Sequence, residues 1–447
     1  MRRLLDPVFS GLARLCARIF FRRVEVVGRE NLPARGPLLL VANHHNSLVD
    51  PVLVLASTRR PARFLAKNTL WKVPGVRQLL QLGAVIPVYR AQDGSDMNRN
   101  QQTFAACYRV LGAGGTIALF PEGVSHDAPH LARIKTGAAR IAIGAMAEHG
   151  ARDLRIVPVG LTFEAKGTFR SRALVRIGEP IDPGVVVERA EGDEVAAARA
   201  LTEAVNEGLR RVTLNYPSRA EATLIEQAAD LYGTRAPELP ARMALAEAFA
   251  VRQRFIEATA RLREIDPQRV DAVADRIRAY AHSLAQMKVR EEQLAARFPS
   301  EAVVAQVFGT AWLLIFWLPL ALVGTVLGYL PYRLCGVFAS FTKTEDMPST
   351  IKLFGGFFLF PLTWAVWCGV AGSAWGWPGA LGMAVLAPVS SWFAMRFHER
   401  YERFFDDATA WARMRMRRGR AQALRQEREA IRQEVDALRA IDEDHDS

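Results

Sequence analysis

Two long stretches without any charged residue or histidine constrain this chain more than any other feature. Residues 302–332 and 353–395 contain no Asp, Glu, Lys, Arg or His. About 20 consecutive apolar residues are enough for a helix to cross the hydrocarbon core of a bilayer. The sequence therefore predicts membrane segments within residues 301–395.

The distribution of arginine predicts the orientation of these segments. Arginines flank both sides of the apolar region, at Arg2, Arg3, Arg22, Arg23, Arg396, Arg413, Arg415, Arg417 and Arg418. Cytoplasmic flanks of membrane helices are rich in Lys and Arg, so both ends are expected in the cytoplasm and the number of crossings should be even. Residues 353–395 are long enough for two crossings with a turn at 372–379, which would leave 302–332, broken by Pro319, as a re-entrant segment. One crossing in 302–332 and one in 353–371 is the alternative.

The formal net charge of +12 has two possible readings. The arginines are spread along the chain without interleaved aromatic residues, so an anionic membrane surface is a better partner than nucleic acid. The four cysteines (Cys16, Cys107, Cys335 and Cys368) are far apart and have no metal-ligand or disulfide spacing. We therefore expect a reducing compartment.

The first 23 residues show apolar positions at helical spacing, interrupted by Arg14 and Arg18. The apolar positions are Leu5, Val8, Phe9, Leu12, Leu15, Cys16, Ile19 and Phe20. This pattern predicts an amphipathic helix at residues 1–23 that associates with the membrane surface, and it does not resemble a cleavable signal peptide. The alternative is a helix docked on the protein's own core.

Residues 24–217 alternate short apolar runs with helical stretches. Strands are predicted at 37–42, 63–66, 84–88, 116–120 and 155–161, and helices at 48–57, 98–111, 136–149 and 193–215. Such alternation is typical of an α/β domain with a largely parallel sheet. Residues 218–300 then predict a helical linker region, punctuated by prolines. Residues 396–447 predict a charged helical tail, favoured as a solvated helix over a coiled coil built on Leu424, Ile431 and Leu438.

The segment that runs from Pro37 to Pro51 is the best candidate for chemistry. An apolar strand leads into the polar sequence Asn43-His44-His45-Asn46-Ser47 and then into a helix that contains Asp50. A hydroxyl is a poor nucleophile at neutral pH, and histidine is the side chain best suited to remove its proton. A carboxylate can orient that imidazole and stabilise its charged form. We therefore predict that His45 is a general base and that Asp50 orients it.

Metal binding and a chance spacing are the two alternatives to a catalytic pair. A His-rich loop can bind a metal, and a spacing of five residues between His and Asp also arises by chance. His126 and His130 could form a ligand pair, but Pro129 disfavours the helix that would align them, so a surface loop is expected there. No metal site is predicted.

Three further blocks follow the histidine segment in a fixed order. They are Gly83-Ala84-Val85-Ile86-Pro87-Val88-Tyr89-Arg90, Leu119-Phe120-Pro121-Glu122-Gly123-Val124-Ser125 and Ile156-Val157-Pro158-Val159-Gly160-Leu161. Together the four blocks resemble the glycerolipid acyltransferase family that includes bacterial 1-acylglycerol-3-phosphate acyltransferase. The resemblance spans about residues 24–185. The first block and the membrane segments that follow look most like the branch that acylates glycerol-3-phosphate or dihydroxyacetone phosphate.

The resemblance implies roles for individual residues of this chain. His45 would be the base, Asp50 its orienting partner, and Arg90, Glu122 and Gly123 would help to bind the glycerophosphate. A guanidinium can grip a phosphate with two hydrogen bonds, whereas Glu122 is expected to accept from a glycerol hydroxyl or to hold Arg90. Two lysines at strand or loop ends, Lys67 and Lys135, could add positive charge. Val124 departs from the family pattern, in which a hydroxyl residue is common, and the extra imidazole of His44 is assigned no role.

The implied reaction is the transfer of a fatty acyl chain from an acyl thioester to glycerol-3-phosphate or 1-acylglycerol-3-phosphate in phospholipid synthesis. Acyl-CoA or acyl carrier protein would be the donor, and no metal or nucleotide cofactor is expected. The catalytic domain would face the cytoplasm. Two alternatives are remodelling of another lysophospholipid and a non-catalytic scaffold that only binds lipid.

Overall fold

The computed structural model describes residues 2–58, 60–72, 76–89, 99–233, 240–297, 300–342 and 347–445. The chain divides into two compact units. The first unit contains residues 1–215 and 339–353, and the second contains residues 216–338 and 354–447.

The first unit is built on a seven-stranded sheet. Its strands are β1 (Arg23–Val27), β2 (Leu38–Ala42), β3 (Ala62–Lys67), β4 (Ile86–Val88), β5 (Thr116–Leu119), β6 (Arg155–Phe163) and β7 (Arg172–Ile177). The spatial order is β1-β7-β6-β2-β5-β3-β4, and every neighbouring pair is parallel except β6 with β7. The predicted α/β domain with a largely parallel sheet is confirmed.

Helices cover this sheet. They are α1 (Arg2–Phe20), α2 (Val49–Thr58), α3 (Val76–Leu82), α4 (Asn100–Gly112), α5 (Gly137–His149), α6 (Pro183–Glu188) and α7 (Glu194–Val212), with short 3-10 turns at Arg29–Asn31 and Asn68–Lys72. Strand β2 lies between β5 and β6, and Leu38 to Val41 are at most 1% exposed. A parallel strand that is covered on both faces has an unbroken apolar sequence. The histidine loop therefore follows a strand that is held in the centre of the sheet.

Helix α1 docks on the first unit, where it packs against α2. Ala13, Ala17 and Phe20 are buried, and the guanidinium of Arg170 donates to the carbonyl oxygens of the last turn. Val8, Leu15 and Ile19 are 62%, 52% and 46% exposed and form an apolar stripe on the other side. One face of α1 is therefore docked on the protein's own core, as the alternative predicted. Association of the exposed apolar stripe with a membrane stays a prediction.

The second unit contains a helical bundle. Its helices are α8 (Arg219–Gly233), α9 (Leu245–Ile265), α10 (Pro267–Met287), α11 (Glu291–Ala295) and α14 (Arg418–His445). Leu424, Ile431 and Leu438 are at most 6% exposed and share a core with residues of α8 and α10. The interpretation of this tail as a solvated helix was wrong, because its heptad positions pack within the unit.

Two long apolar helices complete the described chain. They are α12 (Ser300–Ser340) and α13 (Met347–Met416), which is interrupted at Gly376. Both contain a window that is long and apolar enough to cross a membrane. The predicted membrane segments within 301–395 therefore lie on these two helices.

Candidate active site

The histidine loop leaves the carboxyl end of β2, which is where open α/β sheets gather their chemistry. Asn43 fixes the start of this loop. Its side-chain amide donates to the carbonyl of Leu161 on β6 at 3.0 Å and its side-chain oxygen accepts from the N–H of Leu161 at 2.7 Å. Asn43 is buried, so this two-way link holds the end of the strand in place.

Asp50 organises the loop from the first turn of α2. One carboxylate oxygen, Oδ2, accepts from the backbone N–H groups of His45 at 2.9 Å and Asn46 at 2.7 Å, and from the ring Nδ1 of His44 at 2.9 Å. The carboxylate is fully buried. A carboxylate at a helix N-terminus is also favoured by the helix dipole. The loop is therefore wrapped around this single side chain.

His44 is the histidine whose ring contacts Asp50. Because an ionised carboxylate can only accept, Nδ1 carries the proton and the lone pair remains on Nε2. The ring stacks on Phe120, with centroids 4.1 Å apart and an angle of 12° between the planes. The side chain is 18% exposed, so the ring is not fully buried. These are the features of an oriented general base.

The predicted ring contact between His45 and Asp50 is not formed. His45 gives Asp50 only its backbone N–H, and its ring Nδ1 lies 3.1 Å from the carbonyl oxygen of His126. Burial lowers the pKa of His45 below its usual value. The reason lies in the local backbone. The N–H groups of His45 and Asn46 face the carboxylate of Asp50, so the side chain that reaches this carboxylate is that of His44. The ring contact with Asp50 is therefore made by His44, to which the sequence motif assigned no role.

Glu122 braces the same loop. It is 2% exposed, and its carboxylate accepts from the N–H of His44 at 2.7 Å, from the N–H of Ala132 at 2.9 Å and from the ring Nε2 of His126. Burial alone would raise the pKa of Glu122, but these hydrogen bonds outweigh it and leave the pKa below its usual value. All three of these donors belong to the protein. A hydrogen bond from Glu122 to a glycerol hydroxyl, or a contact with Arg90, stays a prediction.

His126 lies in this site, whereas the sequence predicted a surface loop there, with a metal-ligand pair with His130 as the alternative. Its Nδ1 accepts from the N–H of Ala128 at 3.1 Å while Nε2 donates to Glu122. Both ring nitrogens are therefore engaged, and no lone pair is left for a metal. His130 is exposed. The four-residue spacing between Glu122 and His126 was the available signal for their pairing.

The other predicted binding residues have different outcomes. Arg90 lies outside the described residues. Gly123 adopts a φ of +76°, and a Cβ there would lie 2.6 Å from the Nζ of Lys135, so this lysine is adjacent to the turn after Glu122. Lys67 is the exposed last residue of β3. The structure thus brings Lys135 close to the turn after Glu122 and leaves Lys67 at a neighbouring strand end.

The first turn of α13 also contacts the loop, within the first unit. The hydroxyl of Thr350 accepts from the N–H of Leu48 at 3.2 Å, and the hydroxyl of Ser349 donates to the carbonyl of Lys166 at 2.7 Å. Asn46 donates to that same carbonyl at 3.1 Å. Some 300 residues separate Leu48 from Thr350, and the sequence carried no signal for this contact.

Comparison with known proteins places this geometry in context. Residues 23–162 match the model of a protein family described as Acyltransferase. A glycerol-3-phosphate O-acyltransferase 2 of Saccharomyces cerevisiae is 34% identical over 142 residues, which cover 32% of this chain and 19% of the yeast protein.

Two further relatives carry different acceptor names. A 1-acyl-sn-glycerol-3-phosphate acyltransferase of Chlamydomonas reinhardtii is 29% identical over 161 residues, covering 36% of this chain and 45% of the algal protein. A lyso-ornithine lipid O-acyltransferase of Brucella abortus is 29% identical over 232 residues, covering 45% of this chain and 81% of that protein. The chain spans less than half the length of the yeast and algal relatives.

Proposed function

We propose that this chain transfers a fatty acyl group from an acyl thioester to a free hydroxyl of a glycerophosphate or lysolipid. The match of residues 23–162 to the acyltransferase family supports this reaction. The observation that carries the proposal is the contact between the His44 ring and the buried carboxylate of Asp50 at 2.9 Å. It holds an imidazole by its Nδ1 at the carboxyl end of the central strand.

The reaction needs a base that acts as the new bond forms. The acceptor hydroxyl would lie against Nε2 of His44, which takes its proton while the oxygen attacks the thioester carbonyl. Asp50 stabilises the resulting imidazolium, as the aspartate does in a serine hydrolase triad. The tetrahedral intermediate then collapses, the carbon–sulfur bond breaks, and the imidazolium returns its proton to the departing thiolate.

His45 has a different environment from His44. Its ring donates to a backbone carbonyl, which carries no full charge and stabilises an imidazolium less than a carboxylate does. Burial also disfavours its protonated form. We therefore assign the base to His44, and we assign His45 to fixing the loop through His126.

The first candidate acceptors are glycerol-3-phosphate and 1-acylglycerol-3-phosphate, with dihydroxyacetone phosphate as a variant of the first. The names of the yeast and algal relatives support these acceptors. A phosphate would be held by Arg90 together with Lys135 and Lys67, because cations close to a loop concentrate anionic substrates there. Gly123 would allow the backbone to approach the substrate closely.

A second candidate is acylation of another lysolipid. The Brucella relative, of which the chain covers 81%, is named for lyso-ornithine lipid, whose head group contains an amino acid in place of a phosphate. A lysolipid of this kind would use the same base but would not need the cations. Comparing acceptors with and without a phosphate separates the two candidates.

Long-chain acyl-CoA or acyl carrier protein would be the donor, with no metal or nucleotide cofactor. Products that carry one or two acyl chains partition into lipid, at about 0.8 kcal/mol per buried methylene, which fits attachment of the enzyme to a membrane. We propose that the catalytic domain faces the cytoplasm, because the flanks of the apolar region are rich in arginine.

The test is acyl transfer by the purified full chain in detergent or vesicles. Glycerol-3-phosphate, dihydroxyacetone phosphate, 1-acylglycerol-3-phosphate and lyso-ornithine lipid are offered in parallel, with acyl-CoA and then with acyl carrier protein. Transfer to one of them by the wild type, lost when both His44 and His45 are changed to Ala, supports the proposal. A folded, membrane-bound chain that acylates none of the acceptors with either donor supports the scaffold function instead.

A further inference from the structure

Helix α13 is not one straight rod. Gly376 has a φ of 68° and a ψ of −164°, a region of backbone conformation that is accessible essentially only to glycine. The helix is therefore divided into a first arm that ends at residue 375 and a second arm that begins at residue 377.

The two arms run antiparallel to each other. A Cβ built on Gly328 of α12 would lie 3.2 Å from the ring of Phe360 and 3.9 Å from the hydroxyl of Ser391. These two residues are on different arms, and in a straight helix they would be about 46 Å apart. Both can approach Gly328 only if α13 folds back at Gly376. The arms and the turn form a helical hairpin.

The hairpin has the length and surface of an element that spans a bilayer. The 22 residues from 354 to 375 rise about 33 Å, close to the roughly 30 Å of a hydrocarbon core. Both arms expose large apolar side chains, including Leu362, Val366, Leu381 and Val385 at 58–63%. At the turn, Trp375 and Trp377 are 71% and 77% exposed, and tryptophan is enriched where a membrane meets water.

Cations mark the opposite end of the hairpin. The guanidinium of Arg396 lies 5.6 Å from the ring centre of Trp392, and that of Arg400 lies 4.8 Å from the ring centre of Trp317. Arginine and tryptophan together are typical of the headgroup region, where the ring is half buried and the charge meets phosphate. The base of the hairpin therefore fits one headgroup layer and the tip fits the other.

Helix α12 contacts this hairpin at its base. Trp317 packs on Phe393 with ring centres 5.2 Å apart, and a Cβ on Gly324 would overlap the carbonyl of Ser390. Near its other end, Cys335 lies 3.3 Å from the Cβ position of Gly355. Each of these α13 residues is at least 14 positions from Gly376, which corresponds to about 21 Å or more along the arm. These contacts place α12 across the base, away from the tip.

The composition of α12 fits burial in lipid along its length. It has 41 residues and would extend about 62 Å, twice the thickness of a hydrocarbon core. Phe308, Trp312, Phe316 and Val326 are 69–75% exposed. Arg333 is also exposed, and a helix near the headgroups allows such a side chain to reach phosphate.

The helical bundle fixes the parity of the crossings. The chain enters α12 from α11 and leaves α13 into α14, and α11 and α14 are packed together in the bundle of the second unit. Arg428 of α14 bonds Glu291 of α11, and Arg425 donates to the carbonyl of Leu294 at 3.1 Å. The two ends are therefore on the same side of any membrane. The hairpin accounts for two crossings, and α12 can account for none.

We infer that α13 inserts into the bilayer as a hairpin with Gly376 at the far headgroup layer, and that α12 lies in the plane of the near leaflet across its base. The partner of both exposed apolar surfaces is the lipid itself. The inference does not depend on the reaction that the first unit catalyses. It replaces the re-entrant segment expected for residues 302–332 with a continuous helix parallel to the membrane.

Sidedness is tested with single cysteines in full-length protein whose four native cysteines are changed to Ala. Glu264→Cys precedes α12, Ser373→Cys lies at the tip and Gln426→Cys follows α13. A membrane-impermeant maleimide is expected to label positions 264 and 426 from the same face of sealed vesicles and position 373 from the opposite face. Labelling of 264 and 426 from opposite faces, or of 373 from their face, would overturn the inference.

Depth is tested with a matched pair, Val326→Cys on α12 and Val366→Cys midway along the first arm, which are 69% and 58% exposed. Each carries a fluorophore, and lipids with a nitroxide near the headgroup or deep in the acyl chain quench it. The nitroxide near the headgroup should quench the fluorophore at position 326 more strongly than the deep nitroxide does. At position 366 the deep nitroxide should be the stronger quencher. Deep quenching that dominates at both positions would show that α12 crosses the bilayer. Quenching at neither position would show that a second copy of the chain covers these surfaces.

A measurement on unmodified protein guards against misfolding of the cysteine-free chain. Trypsin added to the face of sealed vesicles that carries residues 264 and 426 is expected to cut both before α12, at Arg297, and after α13, at Arg417 or Arg418. The protected fragment should contain the hairpin, residues 354–395, because the inference places the connection between α12 and α13, with Lys343 and Lys352, on the same side. Cleavage at only one of these ends would overturn the inference.

Discussion

The assignment of the general base makes a sharp prediction because two adjacent histidines serve as each other's control. In His44→Ala, Asp50 keeps its two backbone donors, the N–H groups of His45 and Asn46, so the loop should keep its shape. What is lost is the proton acceptor. Removing a general base costs about 10²- to 10⁴-fold in kcat, which corresponds to about 3–5 kcal/mol of transition-state stabilisation.

In His45→Ala the loss is one hydrogen bond to the carbonyl of His126. A bond of this kind contributes about 0.5–1.5 kcal/mol, so the activity should fall by about tenfold or less. A third variant, His44→Gln, can still donate to Asp50 from its side-chain amide but cannot take up a proton. It should be as inactive as His44→Ala.

The assay is the initial rate of thiol release from acyl-CoA with the acceptor that the wild type uses, with folding of each variant checked by circular dichroism. A larger loss in His45→Ala than in His44→Ala would refute the assignment and restore His45 as the base. Recovery of activity in His44→Gln would show that the ring only holds the loop.

Three other predictions follow from the same loop. Glu122→Gln places an amide N–H₂ against a donor such as the His126 ring, so the free energy of unfolding at pH 7 should fall by about 1–3 kcal/mol. The pKa of Glu122 is lower in the folded protein than in the unfolded chain, where it is about 4.3. The ionised carboxylate therefore stabilises the fold fully above that pH, and this contribution is lost as the pH falls through the folded pKa. Denaturant titrations of the wild type and Glu122→Gln should converge in acid. Thr350→Val leaves the N–H of Leu48 without its acceptor and should lower kcat several-fold with little change in KM, whereas an unchanged kcat would show that the turn of α13 does not position the loop. Lys135→Met should raise KM for a phosphate acceptor by at most about fivefold and leave KM for a phosphate-free lysolipid unchanged, and equal effects on both would remove Lys135 from phosphate binding.

Five strands of the first unit could be predicted from the sequence because each is a short apolar run, and β2, β5 and most of β6 are buried along their length. Two strands could not. In β1, Arg23–Val27, charged residues alternate with valines, and in β7, Arg172–Ile177, arginines occupy both ends of the pairing register with β1. Charged residues interrupt both strands, so neither has the continuous apolar sequence of a strand covered on both faces. Their assignment depends on pairing, which is a property of the whole fold.

The histidine loop shows why the identity of the base could not be read from spacing. The sequence places an imidazole five and six residues before Asp50, and either can reach a carboxylate from a flexible loop. What decides between them is the backbone, because the N–H groups of residues 45 and 46 both converge on Oδ2 of Asp50. Once they do, the His45 ring faces the carbonyl of His126, and the ring one residue earlier receives the carboxylate. A shift of a single residue thus changes the chemical role of each histidine, and it is set by hydrogen bonds of the main chain that side-chain motifs do not record.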